Sequence, residues 1–280
     1  MTSMKLPVPR YTVSDVNHKY TIAMPDGTTI GPLKSVTGVL GIIAKPALIP
    51  WASREAANYF KTEILRLGRN ALDPAMLEQI AKDAAQAHRK KATDAASLGT
   101  LAHNICEAII KGEEPATIPV ELASAIHAFK AWRLSSGVEI VATELAVASV
   151  EHRFGGRLDA IGYSKRKDEW RIIDLKTSAA VYQEYSYQCG GYAIAFEEMY
   201  GIKIAGADIV RLGKKAPFDS AAHPITDMES ANAAFMNALA LLRSDENKLI
   251  GDATFQSASV QPKQAPKVAA KKKPTAALGF

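Results

Sequence analysis

Cysteine is scarce: Cys106 and Cys189 are the only two in 280 residues. A pair cannot build a disulfide framework, and it is too few for a four-cysteine zinc or iron–sulfur site. Long apolar runs are also missing. The opening MTSMKLPVPRYTVSD has no stretch long enough for a signal peptide, and the apolar segment from Val36 to Trp51 is broken by Lys45, Pro46 and Pro50. The expectation is a soluble, cytoplasmic chain that does not span a membrane. Glycine-rich phosphate loops are lacking too. Neither G-x-x-x-x-G-K-[ST] nor G-x-G-x-x-G occurs, so nothing points to an ATP-driven motor or a dinucleotide enzyme.

The last absence is a positive surplus in the body of the chain. The formal net charge of +5 comes from 34 Lys and Arg against 29 Asp and Glu. Lys263, Lys267, Lys271, Lys272 and Lys273 fall in residues 256–280, which hold no acid. Setting those five aside leaves 29 basic and 29 acidic residues in positions 1–255. A globally basic body of the histone kind is thereby excluded. The tail is rich in Lys, Pro, Ala and Gln without periodicity and is expected to be disordered. With 48% apolar and 22% charged residues, the rest should fold, as a single domain over 1–255.

What is present reads as helices, then strands, then an alternation. Asp26-Gly27 marks a turn between the short strands Tyr20–Ala23 and Thr28–Ile30. Trp51 to Leu67 has helical spacing. Asp73-Pro74 suits an N-cap and first helical residue, for a segment reaching about Lys91. A separate helix is expected over Ala95–Lys111, with Leu98, Leu101 or Ala102, Ile105 and Ile109 as its apolar stripe and Gly112 as its stop. Another covers Val120–Leu134. Val138–Val150, Phe154–Tyr163 and Trp170–Lys176 read as consecutive strands, followed by helix Tyr182–Tyr200, strand Ile204–Leu212 and helix Met228–Arg243. This order predicts an α/β fold: a mixed central sheet flanked by helices, with β and helical additions over about 1–95 and a core over about 96–245.

The chemistry concentrates in Phe154-Gly-Gly-Arg-Leu-Asp159 and Ile172-Ile-Asp174-Leu-Lys176-Thr-Ser178. Residues two apart in a strand share a face, so Asp174 and Lys176 project together while Ile173 and Leu175 point away. If the two strands pair, Asp159 reaches the same patch. An isolated D-x-K is usually a surface ion pair, and Asp159 alone could cap a turn. Together, however, these acids sit inside apolar strands, where unpaired carboxylates are costly. Two carboxylates and a lysine suit a hard cation such as Mg²⁺, which takes oxygen ligands and commonly a substrate phosphate. Gly155-Gly156 marks either a close backbone approach or a tight hairpin, with Arg157 available to a phosphate.

At this point the chain resembles the PD-(D/E)XK nucleases, in particular their RecB-like, Cas4-like branch. Gly156-Arg-Leu-Asp159, Asp174-Leu-Lys176 and Gln188-Cys-Gly-Gly-Tyr192 follow the order of that branch, and Gly99-Thr-Leu-Ala-His103 matches its upstream G-x-x-x-H. Ser35-Val-Thr37 and Trp51-Ala are similar to the opening of phage and mitochondrial single-domain exonucleases, so the resemblance covers about residues 10–215.

The resemblance implies a restriction-endonuclease-like core and a metal-dependent DNA exonuclease of phage recombination or repair, acting in a bacterial host cytoplasm. Asp159 and Asp174 would bind Mg²⁺ or Mn²⁺, with the Leu175 carbonyl, His103 and Glu144 as further ligands. Lys176 would serve the attacking water, while Gln188 and Tyr192 would brace the site or touch DNA. Relatives with an iron–sulfur cluster use four cysteines, so none is expected here. Without the resemblance, His103 would be structural or exposed, Tyr192 core, and Gln188 a satisfied polar group. Thr177 and Ser178 could bond phosphate or cap the next segment. Arg54, Lys61, Arg89, Lys90, Lys91 and Arg157 are candidates for contact with DNA. The lysine tail could add DNA affinity, dock a recombination or single-strand-binding partner through Leu278-Gly279-Phe280, or merely solubilise. A nuclease-fold adaptor without activity and a structure-specific endonuclease stand as alternatives, and the oligomeric state is open.

Overall fold

The computed structural model describes residues 4–115, 117–213 and 221–246; the expected lysine tail lies outside them. Strands β1 (Thr12–Val16), β2 (Lys19–Ala23) and β3 (Thr29–Ser35) open the chain. Ser35 then caps a short helix α1 (Val36–Leu40), its Oγ accepting from the Gly38 amide at 2.9 Å. Helix α2 (Leu48–Leu67) starts before Trp51, because Pro50 falls in its first turn, where a missing N–H costs nothing. It buries none of its residues.

Helix α3 runs unbroken from Pro74 to Lys111 over 38 residues. This corrects the expectation of two helices meeting near residues 91–95. No Gly or Pro lies between His88 and Ser97, and Thr93 satisfies its hydroxyl within the helix on the Arg89 carbonyl at 3.1 Å. Both ends follow their sequence signals. Asp73 accepts from the Met76 amide at 3.0 Å, and Gly112 closes the helix at φ 80°, a left-handed conformation that suits glycine. The inward stripe passes through Ala102, not Leu101: Ala102 is fully buried and Leu101 is 39% exposed.

Helix α4 (Val120–Ser136) leads into β4 (Val138–Ser149), β5 (Phe154–Ser164) and β6 (Glu169–Lys176). Helix α5 (Glu184–Tyr200), β7 (Ile204–Arg211), β8 (Ala221–Ile225) and α6 (Met228–Glu246) follow. The eight strands of the described residues join one sheet, in the order β1-β2-β3-β5-β6-β7-β8, with β4 also paired to β5. It is mixed: β3 with β5 and β6 with β7 are parallel, and the other pairs are antiparallel. The fold is α/β with a mixed sheet flanked by helices, as the element order predicts. The amino-terminal strands extend that same sheet, and the expected division near residue 95 falls inside α3.

Apolar alternation divides the core between the two faces. Phe154, Leu158, Ile161 and Ile172 pack with Tyr192 and Phe196 of α5 and Phe235 of α6. Ala160, Ile173, Leu175 and Val210 pack with Ile105 of α3 and Ile126 and Phe129 of α4. Each fully buried Leu, Ile or Phe side chain contributes about 1.5–3 kcal/mol. Among the described residues, no helix is long and apolar enough to cross a membrane.

Strand β5 carries the feature that positions the site. Strand β4 covers one of its edges from Phe154 to Ser164. The other edge is shared. β3 pairs only with Phe154 and Gly155, and β6 pairs only from Ala160 to Ser164. Among the described residues, 156–159 of β5 therefore have no partner strand on that edge, and Asp159 sits at the fork.

Candidate metal centre and active site

Three elements bring ligand-type side chains to the fork. Asp159 supplies one from β5. Glu144 lies opposite it on β4, between the registered pairs Thr143–Ala160 and Leu145–Leu158. Its backbone is left-handed, at φ 48°, which is costly for a residue with a Cβ and is typical of functional positions. Helix α3 supplies His103. It approaches closely because Gly99 has no side chain: a Cβ there would lie 3.0 Å from Thr177 Oγ1. His103 Nδ1 is 3.4 Å from Asp159 Oδ1. One ligand atom each from His103, Glu144 and Asp159 lie within 4.8 Å of one another. They open on a cleft of about 570 Å³, whose walls include Tyr20, Thr37, Thr177 and Tyr192.

Behind this cluster sits the D-x-K pair. Beyond the Ala160–Ile173 pairing the strands part, and Asp159 Oδ2 accepts from the Leu175 amide at 2.7 Å. Asp174 is 1% exposed, and its Oδ2 lies 2.6 Å from Lys176 Nζ. Lys176 donates to Gln188 Oε1 at 3.1 Å, and Gln188 donates through Nε2 to the Tyr192 hydroxyl at 2.9 Å. The ammonium also stands 4.9 Å above the Tyr185 ring. Gly156 permits this array, since a Cβ there would come within 2.7 Å of Tyr192 Cε1. The glycine pair thus reflects close approach.

Burial and neighbouring charges push these groups apart. Burial raises the Asp174 carboxyl to about 6; Lys176 opposes the rise and Asp159 adds to it. For Asp159 burial also acts upward, but the His103 hydrogen bond, the charges of His103 and Lys176, and the Leu175 amide outweigh it and hold the carboxyl low. Burial, then Asp159 and Glu107, push Glu144 up. Burial disfavours the charged forms of His103 and Lys176. The carboxylates nonetheless raise both, chiefly Asp159 for His103 and Asp174 for Lys176.

A divalent cation fits this donor set. Asp174 Oδ1 is buried with no hydrogen-bond partner among the described residues. The buried Arg171 of the same strand, by contrast, donates to both Asp208 oxygens at 2.8 and 3.0 Å and to Glu169 at 2.6 Å. In front of Asp174, His103, Glu144 and Asp159 gather ligand atoms within 4.8 Å, two carboxylates and an imidazole that a hard cation would complete.

The remaining candidates divide. Thr177 lines the cleft, while Ser178 donates to the Ala180 carbonyl at 2.6 Å and shapes its own loop. Arg157 is held by Asp15, with Nε at 2.8 Å and Nη2 at 2.7 Å, and its Nη1 is 3.7 Å from Glu144. Arg89 and Lys90 are exposed, and Lys91 is paired with Glu55 at 2.8 Å. From Lys91 to His103 the helix rises about 18 Å, so this basic cluster is not brought to the fork. Two neighbours escaped the sequence reading. Tyr185 stands one turn before Gln188 and could have been found from that spacing. Asp15 is 142 residues from Arg157 and has no local signal.

Comparison with known proteins places the chain in a family. The family model of the PD-(D/E)XK nuclease superfamily covers residues 75–266, which include every motif residue from Gly99 to Tyr192. The chain belongs to that superfamily. The sheet and its flanking helices are consistent with the restriction-endonuclease-like fold of PD-(D/E)XK nucleases, which use divalent metals. No curated protein matches. One solved chain, described as "Crystal structure of SSO0001", is similar at 15% identity and a TM-score of 0.26, over 43% of this chain. The match spans 57% of that chain's length.

Proposed function

We propose that this PD-(D/E)XK protein is a metal-dependent DNA exonuclease of the RecB-like type, working with Mg²⁺ or Mn²⁺ in phage-type recombination or repair. The observation that carries the nuclease assignment is the cluster of His103, Glu144 and Asp159 in the cleft, backed by Asp174 with its orphaned oxygen. Exonuclease action is favoured by the similarity of Ser35-Val-Thr37, Trp51-Ala and the later motifs to free-standing exonucleases.

In this reading Asp159, Glu144 and His103 hold the cation, with Asp174 and the Leu175 carbonyl completing the set. When bound, the ion lowers the pKa of water and neutralises charge on the phosphoryl oxygens. Lys176, kept protonated by Asp174, orients the attacking water and offsets charge as the oxygen–phosphorus bond forms. Gln188 fixes the lysine from one side and is fixed in turn by Tyr192. The bond to the 3′ oxygen breaks, leaving a 5′-phosphate and a 3′-hydroxyl. A solvated strand reaches the fork through the cleft, and its phosphate contacts make affinity fall with salt.

Purified full-length protein should degrade linear DNA with Mg²⁺ or Mn²⁺ and lose that activity in EDTA. End-labelled single and double strands give the polarity. Covalently closed circles should survive; their cleavage would assign an endonuclease with the same site. No degradation of any DNA under any divalent ion would overturn the proposal in favour of an inactive adaptor.

A further inference from the structure

A second cavity, of about 380 Å³, lies between the amino-terminal ends of α5 and α6 and strands β7 and β8. Its floor is apolar, formed by Ile209 and Ile225, and its rim carries Tyr182, Tyr187, His223 and Asp227. Nucleotide-sized ligands occupy cavities of about this volume. The sheet register fixes its distance from the chemistry. Ile209 pairs with Asp174 on β6 and with His223 on β8, so His223 stands two strand spacings, about 10 Å, from Asp174.

Aromatic rings bridge the interval. The Tyr185 ring lies under Lys176, and Tyr182, 45% exposed, meets Tyr185 edge-on at 5.6 Å. The lysine at the fork is thus continuous with an open ring at the cavity mouth. The lining chemistry selects the part of a nucleotide that fits. No lysine or arginine is among the described residues that line the cavity, and Asp227 adds a carboxylate. A phosphate is disfavoured there. A flat apolar group with N–H donors on its edge suits the aromatic wall, the aliphatic floor and the acidic acceptor, and those are the properties of a nucleobase.

We infer that this cavity holds a base of the unpaired substrate strand next to the scissile phosphate, stacked on Tyr182. This rests on the proposed nuclease reading and deepens it: the enzyme engages a single-stranded end, and α5 guides that end to Lys176. Stacking of one base is worth about tenfold in affinity.

The test is binding of a fluorescent single-stranded oligonucleotide to the full-length protein in Ca²⁺, by anisotropy, with one abasic site moved along the strand. In the parent protein one abasic position should weaken binding about tenfold. In Tyr182→Ala the same abasic site should cost nothing further, and Tyr182→Phe should behave as the parent. Tyr182 is half-exposed, so these variants should fold. An abasic penalty equal in parent and Tyr182→Ala at every position overturns the inference alone. A parent protein that neither binds nor cleaves DNA overturns the nuclease reading and this inference with it.

Discussion

Asp159 Oδ2 accepts the Leu175 amide at 2.7 Å where β5 and β6 part, so a side chain takes the place of the next rung of the ladder. The bond fixes the carboxylate and leaves Oδ1 facing His103 at 3.4 Å. Asn can keep the same acceptor toward Leu175 and lacks only the charge. Asp159→Asn should therefore fold with parental circular dichroism and lose at least ~100-fold in metal-dependent cleavage, as expected for a direct ligand when outer partners already cost ~10–100-fold. Parental activity in the folded variant would remove Asp159 from the centre.

Gly156 faces the Tyr192 ring, and an added Cβ would sit 2.7 Å from Cε1 and 3.0 Å from Val36 Cγ2. Both neighbours are buried in the core. Gly156→Ala should cost about 1–3 kcal/mol in urea denaturation, since overpacking a full core forces side chains off their rotamers. It should also lower kcat, because a displaced Tyr192 releases Gln188 from Lys176. A variant with unchanged stability and kcat would show that the ring has room to move.

These two sites also show what was legible in the chain. The face shared by Asp174 and Lys176, the caps at Asp73 and Gly112, and the strand run from Val138 to Lys176 are local patterns, and they hold. What failed was long-range or lacked punctuation. The join at residues 91–95 carries neither a breaker nor a strong stripe, so one long helix looked like two. Strand β8 contains Pro224, is mostly exposed, and survives because it stands at the sheet edge, where a missing N–H is tolerated. The left-handed Glu144 and the ion pair between Asp15 and Arg157 are set by tertiary closure, for which a single sequence has no spacing rule.

Asp174 provides a pH signature in the metal-free protein. Burial, with Asp159 adding to it, raises its carboxyl to about 6 from an ordinary value of 3.8. The unfolded chain gives up that proton first, and the folded chain keeps it to higher pH. Stability should therefore be lost as pH rises from about 4 to about 6. Its amplitude is on the order of 3 kcal/mol. Asp174→Asn has no proton to lose and should flatten that slope, measured by urea denaturation in EDTA. Superimposable pH profiles for parent and variant would contradict the raised, buried carboxyl.

Arg157 stands between two acids with opposite consequences for the metal. Asp15, its side chain 3% exposed, holds the guanidinium at 2.7 Å, and Glu144 lies 3.7 Å from its other nitrogen. Asp15 thus takes the closer hold on the guanidinium and leaves Glu144 the longer, weaker pair. Asp15→Ala frees Arg157 to close on Glu144, competing with the metal, and should raise the Mn²⁺ midpoint about tenfold, as for other outer-shell partners. Arg157→Ala removes a positive charge from the rim and should lower that midpoint. Isothermal titration of each variant without DNA measures both. The opposed signs matter more than the sizes, because a merely structural ion pair would shift the two midpoints in the same direction or leave both unchanged.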